Sequence, residues 1–286
     1  LADTLAPHDL AGLTLVLDGA HGAASALAPR VFADLGAQVV AVGAEPDGDN
    51  INAGCGSTHP ESMARAVLEH GADAGLAFDG DADRVILCDR RGRIFDGDRI
   101  LCAAGLHAKA HGRLPGDVVV GTIMSNLGLE KRLADAGIRL ERAGVGDRYV
   151  AERMAATGAV LGGEQSGHIL FPEIAPTGDG MLTGLQVLKI VRESGRDLAS
   201  WADEMEKYPQ TIVNVDVRDK DGWDASPALR AAIADAEARL DGRGRVNVRP
   251  SGTEKKIRIM VESPDRAEVE EVARIIADVI RAERGV

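Results

Sequence analysis

The chain has 286 residues, 45% of them hydrophobic and only 3% aromatic, with a formal net charge of −12 at pH 7. That length suits two or three domains, and the scarcity of aromatics calls for an aliphatic core. The acidic balance argues against nucleic acid and anionic membranes as partners, because both need a basic surface; it leaves anionic small molecules open, since a few local arginines can hold them.

Three cysteines, Cys55, Cys88 and Cys102, show no CxxC spacing. They fit a reducing, cytoplasmic setting better than a disulfide framework. No stretch reads as a signal peptide, and none reaches the roughly 18 apolar residues of a membrane span. The chain opens on Leu1 with a strand almost at once, as expected of a piece of a longer protein.

In chain order, "LTLVLD" (13–18) predicts a strand, followed by a Gly-rich turn and a helix reaching Leu35. Gly36 stops that helix and "AQVVAV" (37–42) predicts the next strand. A polar loop leads to a helix over Pro60–Gly71, and then "GLAFDGDADRVILCD" (75–89) predicts an acidic hairpin between two apolar strands. The grammar repeats with a strand at 116–122, a helix at 127–137, the strand "IRLERA" and a helix at 146–158 capped by Asp147. "ADLGAQV" at 33 and "ADAGIRL" at 134 mark two copies of one α/β unit with mostly parallel, mixed sheets. The last segment changes grammar. Strands at 211–217, 244–248 and 255–262 and a helix over 227–240 precede a closing helix with Ser263 as N-cap and Pro264 at its first position. The predicted architecture is α/β: two similar α/β domains, 1–112 and 113–207, then a small α+β domain, 208–286.

Asp79, Asp81 and Asp83 stand at alternate positions in the acidic hairpin. Carboxylates this close repel and raise one another's pKa, and a divalent cation relieves this. Hard oxygen donors suit Mg²⁺ or Ca²⁺, but an EF-hand is excluded because its Gly and Glu positions hold Arg84 and Arg90. The plain alternative is a solvated acidic turn. "GGEQSGH" (162–168) offers Glu164, Ser166 and His168, a carboxylate, a hydroxyl and an imidazole able to read sugar hydroxyls, or else a polar turn. "RPSGTEKKIR" (249–258) combines Arg249, Ser251, Gly252, Thr253 and Arg258. It reads as a phosphate cradle in which Gly252 permits unusual backbone angles, or as an ordinary loop. Arg148 sits in a first helical turn, where its charge opposes the dipole unless it meets an anion. His21 reads as structural. Neither a Walker A sequence nor GxGxxG after the first strand is present, so a nucleotide cofactor has no support.

In their order, "LDGAHGAAS", "PDGDNIN", "CGSTHPE", "FDGDADRV", "MSNLGLE", "VGDRYV", "GGEQSGH", "TGDG" and "RPSGTE" resemble the α-D-phosphohexomutase superfamily, and "NINAGCGSTHPE" resembles its glucosamine-acting branch. The resemblance implies that Asp79, Asp81 and Asp83 hold Mg²⁺ beside Arg84. It implies that Glu164 and Ser166 read the sugar hydroxyls with His168 as acid/base, and that Arg148 lies in the substrate cleft. Arg249, Ser251, Gly252, Thr253 and Arg258 would grip the phosphate that is not being transferred. The implied reaction moves phosphate between O6 and O1 of glucosamine through a hexosamine 1,6-bisphosphate, feeding amino-sugar nucleotide and cell-wall synthesis. Two departures stand out. Lys255 replaces the Pro that many relatives carry after "SGTE". No loop resembles the "TASHNP" segment that carries the family's phosphoserine, so the chain is expected to lack a first domain and to be inactive alone. The surface such a domain covers leaves room for a homodimer. The rival readings are a relative acting on glucose or mannose phosphates, a non-catalytic sugar-phosphate-binding remnant, and a Mg²⁺-dependent phosphatase with an Asp nucleophile.

Overall fold

The structure is a computed structural model that describes residues 9–286; the first eight residues of the first predicted domain lie outside it. The chain divides into two compact units. The larger holds residues up to Ser125 together with Leu129–Glu206, and the smaller holds Asn126–Gly128 and Lys207–Val286.

The larger unit begins with β1 (Thr14–Asp18), α1 (Ala24–Asp34), β2 (Gln38–Val42), α2 (Glu61–His70), β3 (Ala74–Phe78), β4 (Val85–Asp89) and β5 (Ile94–Phe95). These strands form a sheet of order β2-β1-β3-β4-β5, parallel from β2 to β3 and antiparallel beyond. Alternate residues feed opposite faces. Leu15, Leu17, Leu76, Phe78 and Leu87 enter the main core with Phe32, while Val16, Ala77 and Cys88 pack against Met63 and Val67 of α2. A sheet covered on both faces requires the nearly continuous apolar runs that the sequence shows.

After α3 (Gly97–Ala110), the pattern recurs as β6 (Val118–Thr122), α4 (Leu127–Asp135), β7 (Arg139–Ala143), α5 (Asp147–Thr157), β8 (Gly162–Gly163) and β9 (Ile169–Leu170). The order β7-β6-β8-β9 reproduces β2-β1-β3-β4, again with two parallel pairings and one antiparallel hairpin. "ADLGAQV" and "ADAGIRL" occupy equivalent helix–Gly–strand corners, so the predicted repetition of the α/β unit holds. The acidic loop between β3 and β4 and the "GEQSGH" loop between β8 and β9 are therefore equivalent connections.

The sequence reading did not place α3, α6 (Gly180–Ser194) or the short α7 (Leu198–Ala202). The first two pack on each other, α6 toward β3 and β4 and α3 toward β6. Being buried on most sides, they show no clean amphipathic period. Asp96 and Asp179 cap them, accepting from the N–H groups of Arg99 and Leu182.

The smaller unit consists of β10 (Gln210–Asp216), α8 (Pro227–Leu240), β11 (Arg245–Pro250), β12 (Lys256–Glu262) and α9 (Arg266–Arg284). Its antiparallel sheet, of order β10-β12-β11, turns Ile257, Ile259 and Val261 onto Val269, Val272, Ala273, Ile276 and Ile280 of α9. Two predicted caps are corrected. Asp265, not Ser263, caps α9, its carboxylate accepting from Ala267 and Glu268, and Pro264 lies ahead of the cap. Gly146, not Asp147, is the N-cap of α5; Asp147 is the first helical residue.

Candidate functional site

The acidic loop leaves β3 at Phe78 and enters β4 at Val85. One oxygen from each of Asp79, Asp81 and Asp83 lies within 4.8 Å of the others. Asp79 is buried, Asp83 half-buried and Asp81 exposed. Arg84 folds back over the group. Its Nε lies 2.6 Å from Asp79 Oδ2 and 3.4 Å from Asp83 Oδ1, and its backbone N–H donates to Asp79 Oδ1. Burial disfavours the Arg84 charge, but Asp79 and Asp83 more than reverse this and hold its pKa above the ordinary value. Asp83 Oδ1 is shielded from solvent and accepts no hydrogen bond. Three converging carboxylates, with a buried oxygen of Asp83 left without a hydrogen bond, fit a hard divalent cation.

Neighbouring turns fix the loop. The Ala23 N–H donates to Gly80 O, and the Ser57 N–H to Phe78 O. A Cβ on Gly22 would overlap Gly80, and one on Gly180 would overlap Arg84 O. Behind these turns stands Asp18, fully buried at the end of β1. Its Oδ1 accepts from the Ala20 N–H, and its Oδ2 from the Gly56 N–H and the Ser62 hydroxyl. Ala20 and His21 both hold positive φ there, and the Glu45 N–H donates to His21 Nδ1. Asp18 was missed in the sequence because a single Asp after a strand carries no spacing signal; only the shared "LDGAHG" resemblance pointed to it.

The second loop reaches the first directly. His168 Nδ1 lies 3.2 Å from Asp83 Oδ2. His168 is only 6% exposed, and its Nε2, on the side where Gly178 leaves room, is buried without a partner among the described residues. The Val85 N–H donates to Gly167 O, and the Gly97 N–H to Gln165 O. Ser166 is exposed and Glu164 half-buried. Glu164 Oε1 accepts from the Gly146 N–H, tying this loop to the start of α5. Arg148, in the first turn of α5, is 82% exposed on its side chain and pairs with Glu152, which raises its pKa. The structure thus groups the three aspartates, Arg84 and His168, with Glu164 and Ser166 on the adjoining loop; Arg148 lies on α5, beside the Gly146 amide that Glu164 holds.

In the smaller unit, Arg249 on β11 stands directly opposite Arg258 on β12. Burial, and then the facing Arg258, lower the Arg249 pKa. Arg258 reaches Glu254 at 3.2 Å, and its buried Nε has no partner among the described residues. Like charges opposed across a sheet cost stability unless an anion joins them. Ser251 is buried, and its Oγ accepts from the Glu254 N–H. Gly252 and Thr253 are exposed. The expected unusual angle at Gly252 is absent, because its φ is not positive; instead the space a Cβ would fill is open.

Profiles of one family match almost the whole chain: "Phosphoglucomutase/phosphomannomutase, alpha/beta/alpha domain II" at residues 3–92, "alpha/beta/alpha domain III" at 96–208 and "C-terminal domain" at 212–279. The chain belongs to the phosphoglucomutase/phosphomannomutase family. It is 54% identical to the phosphoglucosamine mutase of Heliobacterium modesticaldum over 275 residues, covering 96% of this chain and 60% of that protein. It is 53% identical to the phosphoglucosamine mutase of Desulforudis audaxviator over 283 residues, covering 98% and 63%. The chain thus spans about three-fifths of the length of these curated relatives. Among solved structures it is similar to the Aspergillus fumigatus N-acetylphosphoglucosamine mutase in complex with GlcNAc-6P and magnesium. The TM-score is 0.77 at 22% identity, over 96% of this chain and 63% of the other, a likeness of fold alone.

Proposed function

We propose that these 286 residues carry the metal, sugar and phosphate-binding parts of a cytoplasmic phosphoglucosamine mutase, which interconverts glucosamine 6-phosphate and glucosamine 1-phosphate through a phosphoserine and a hexosamine 1,6-bisphosphate. The observation that carries the reading is the contact between the two equivalent loops. His168 on the hydroxyl-bearing loop meets Asp83 of the acidic loop at 3.2 Å, so sugar recognition and metal binding adjoin. The names of the relatives over nearly the whole chain support the glucosamine branch.

Asp79, Asp81 and Asp83 would hold Mg²⁺, which supplies neutralisation of the charge on the phosphoryl group in transfer. Arg84 balances the carboxylates and borders the reacting phosphate. Glu164 and Ser166 bind sugar hydroxyls. His168 acts through Asp83, whose carboxylate it orients. Arg148 adds positive charge for the substrate. Arg249, Ser251, Gly252, Thr253 and Arg258 bind the other phosphate by forked and hydroxyl hydrogen bonds. The serine lies outside these 286 residues, because none of their serines stands in the family's phosphoserine context.

The test compares kcat/KM of the complete protein, carrying its serine domain, for the 6-phosphates of glucosamine, glucose and mannose, with Mg²⁺ and trace bisphosphate. Glucosamine 6-phosphate is expected to lead. A clear preference for glucose or mannose would move the chain to that other branch. The 286-residue chain alone is expected to show no turnover.

A further inference from the structure

Lys220 lies in the connection after β10, outside every motif singled out in the sequence. Its Nζ donates to the Ser251 carbonyl oxygen at 2.7 Å. The same connection is fastened to the loop by the Val217 N–H, which donates to Lys255 O, while the Ser251 N–H donates to Lys256 O. The Ser251 carbonyl and the Gly252 N–H share one planar trans peptide and point in opposite directions. A cation fixing that oxygen from one side therefore aims the Gly252 N–H to the other. Neither the Gly252 nor the Thr253 N–H donates to any group among the described residues. The space before Gly252 is open, and Arg249 pairs with no carboxylate among the described residues. Backbone amides without acceptors, beside two opposed guanidiniums, make an anion-binding concavity.

We propose that Lys220 is a positioning residue for the phosphate cradle: its ammonium locks the Ser251–Gly252 peptide so that the Gly252 and Thr253 amides face the bound phosphate. This rests on the reading of residues 249–258 as that cradle. Lys220 acts through the peptide and need not touch the ligand.

The test follows the Gly252 and Thr253 amide resonances of the full protein as glucosamine 6-phosphate is added, in wild type, Lys220→Met, Lys220→Arg and Arg249→Met. Both amides are expected to shift strongly in wild type. In Lys220→Met the shifts should shrink and affinity should fall about tenfold, the scale of one charge-assisted hydrogen bond. KM should rise more than kcat falls, and Lys220→Arg should restore part of each effect. Full amide shifts in Lys220→Met overturn the proposal, whether affinity is unchanged or drops only in a way that added salt removes, since the lysine would then be at most a distant charge. Arg249→Met reports separately on the cradle. If it binds like wild type and the amides do not move, the cradle reading itself fails and the proposal falls with it.

Discussion

Single side chains set the chemistry of the acidic loop, and they differ in what the sequence disclosed. The three aspartates were legible because alternate spacing between apolar strands has few structural uses. The contact that gives them a neighbour was not legible, since His168 lies 85 residues beyond Asp83 and meets it only when the two hairpins fold together. That contact uses Nδ1, and the other ring nitrogen is buried against Gly178. An asparagine amide can stand in for Nδ1, while a glutamine amide reaches the position of Nε2. His168→Asn is therefore expected to keep Mn²⁺ or Mg²⁺ affinity within about threefold, and His168→Gln to lose about tenfold or more, in line with other residues that orient metal ligands. Equal affinities in both variants, measured by Mn²⁺ paramagnetic resonance, would remove His168 from the support of the metal site.

At the level of elements, Gly167 joins the two hairpins, its carbonyl accepting from the Val85 N–H. It holds φ of 93°, a conformation that other residues reach only with strain, and Val85 O occupies the space where its Cβ would project. Gly167→Ala should destabilise the larger unit by roughly 2–4 kcal/mol, the range of substitutions that combine backbone strain with overpacking. An unchanged urea midpoint would contradict this. Two-residue β9 is too short to show a pattern, whereas the strands of the acidic hairpin, and the helices with one apolar stripe, could be read from the sequence. α3 and α6 could not, because burial on most sides erases the pattern, and the "DGD" at 96–98 and "TGDG" at 177–180 that begin them look like turns until Asp96 and Asp179 are seen capping helices. In α9 the expected cap, Ser263, gives way to Asp265. The aspartate prevailed because it accepts from two successive amides, whereas the Ser263 hydroxyl is taken up by the Asp265 N–H and Glu268.

For the whole molecule, the repeat visible in two seven-residue corners extends to the order of four strands in each sheet of the larger unit, β5 having no counterpart. It explains why the acidic loop and the "GEQSGH" loop occupy the same connection in successive copies. The core of the larger unit also sets its pH range. Burial, with His111 next, holds the His107 pKa below its ordinary value; Glu193 opposes this, and Arg113 and Lys189 add to it. The unfolded chain therefore takes up this proton at higher pH than the folded one, and stability should decline as pH falls below about 6.5. Burial likewise pushes Cys88 and Cys102 up to about 12. Above about 8.5, unfolded thiols lose protons that the folded ones keep, so stability should decline on that side too. Melting temperatures should peak between these limits, with the acid slope reduced in His107→Phe and the alkaline slope reduced in Cys88→Ala and Cys102→Ala. A variant that melts along the wild-type pH profile would contradict the assignment of that slope.

Under the proposed function, Asp79, Asp81 and Asp83 serve phosphoryl transfer on a glucosamine phosphate. Asp81 is the cleanest probe, being exposed and without a hydrogen bond or ion pair among the described residues. The most direct measurement is ³¹P NMR of glucosamine 6-phosphate incubated with the complete protein, Mg²⁺ and trace bisphosphate, for wild type and Asp81→Asn. Wild type is expected to form the 1-phosphate without accumulating inorganic phosphate, and Asp81→Asn to be slower by about a hundredfold or more, the scale of losing a preorganised electrostatic contact, while melting at the wild-type temperature. Release of inorganic phosphate in place of the 1-phosphate, or conversion that proceeds undiminished in Asp81→Asn, would contradict the proposed function.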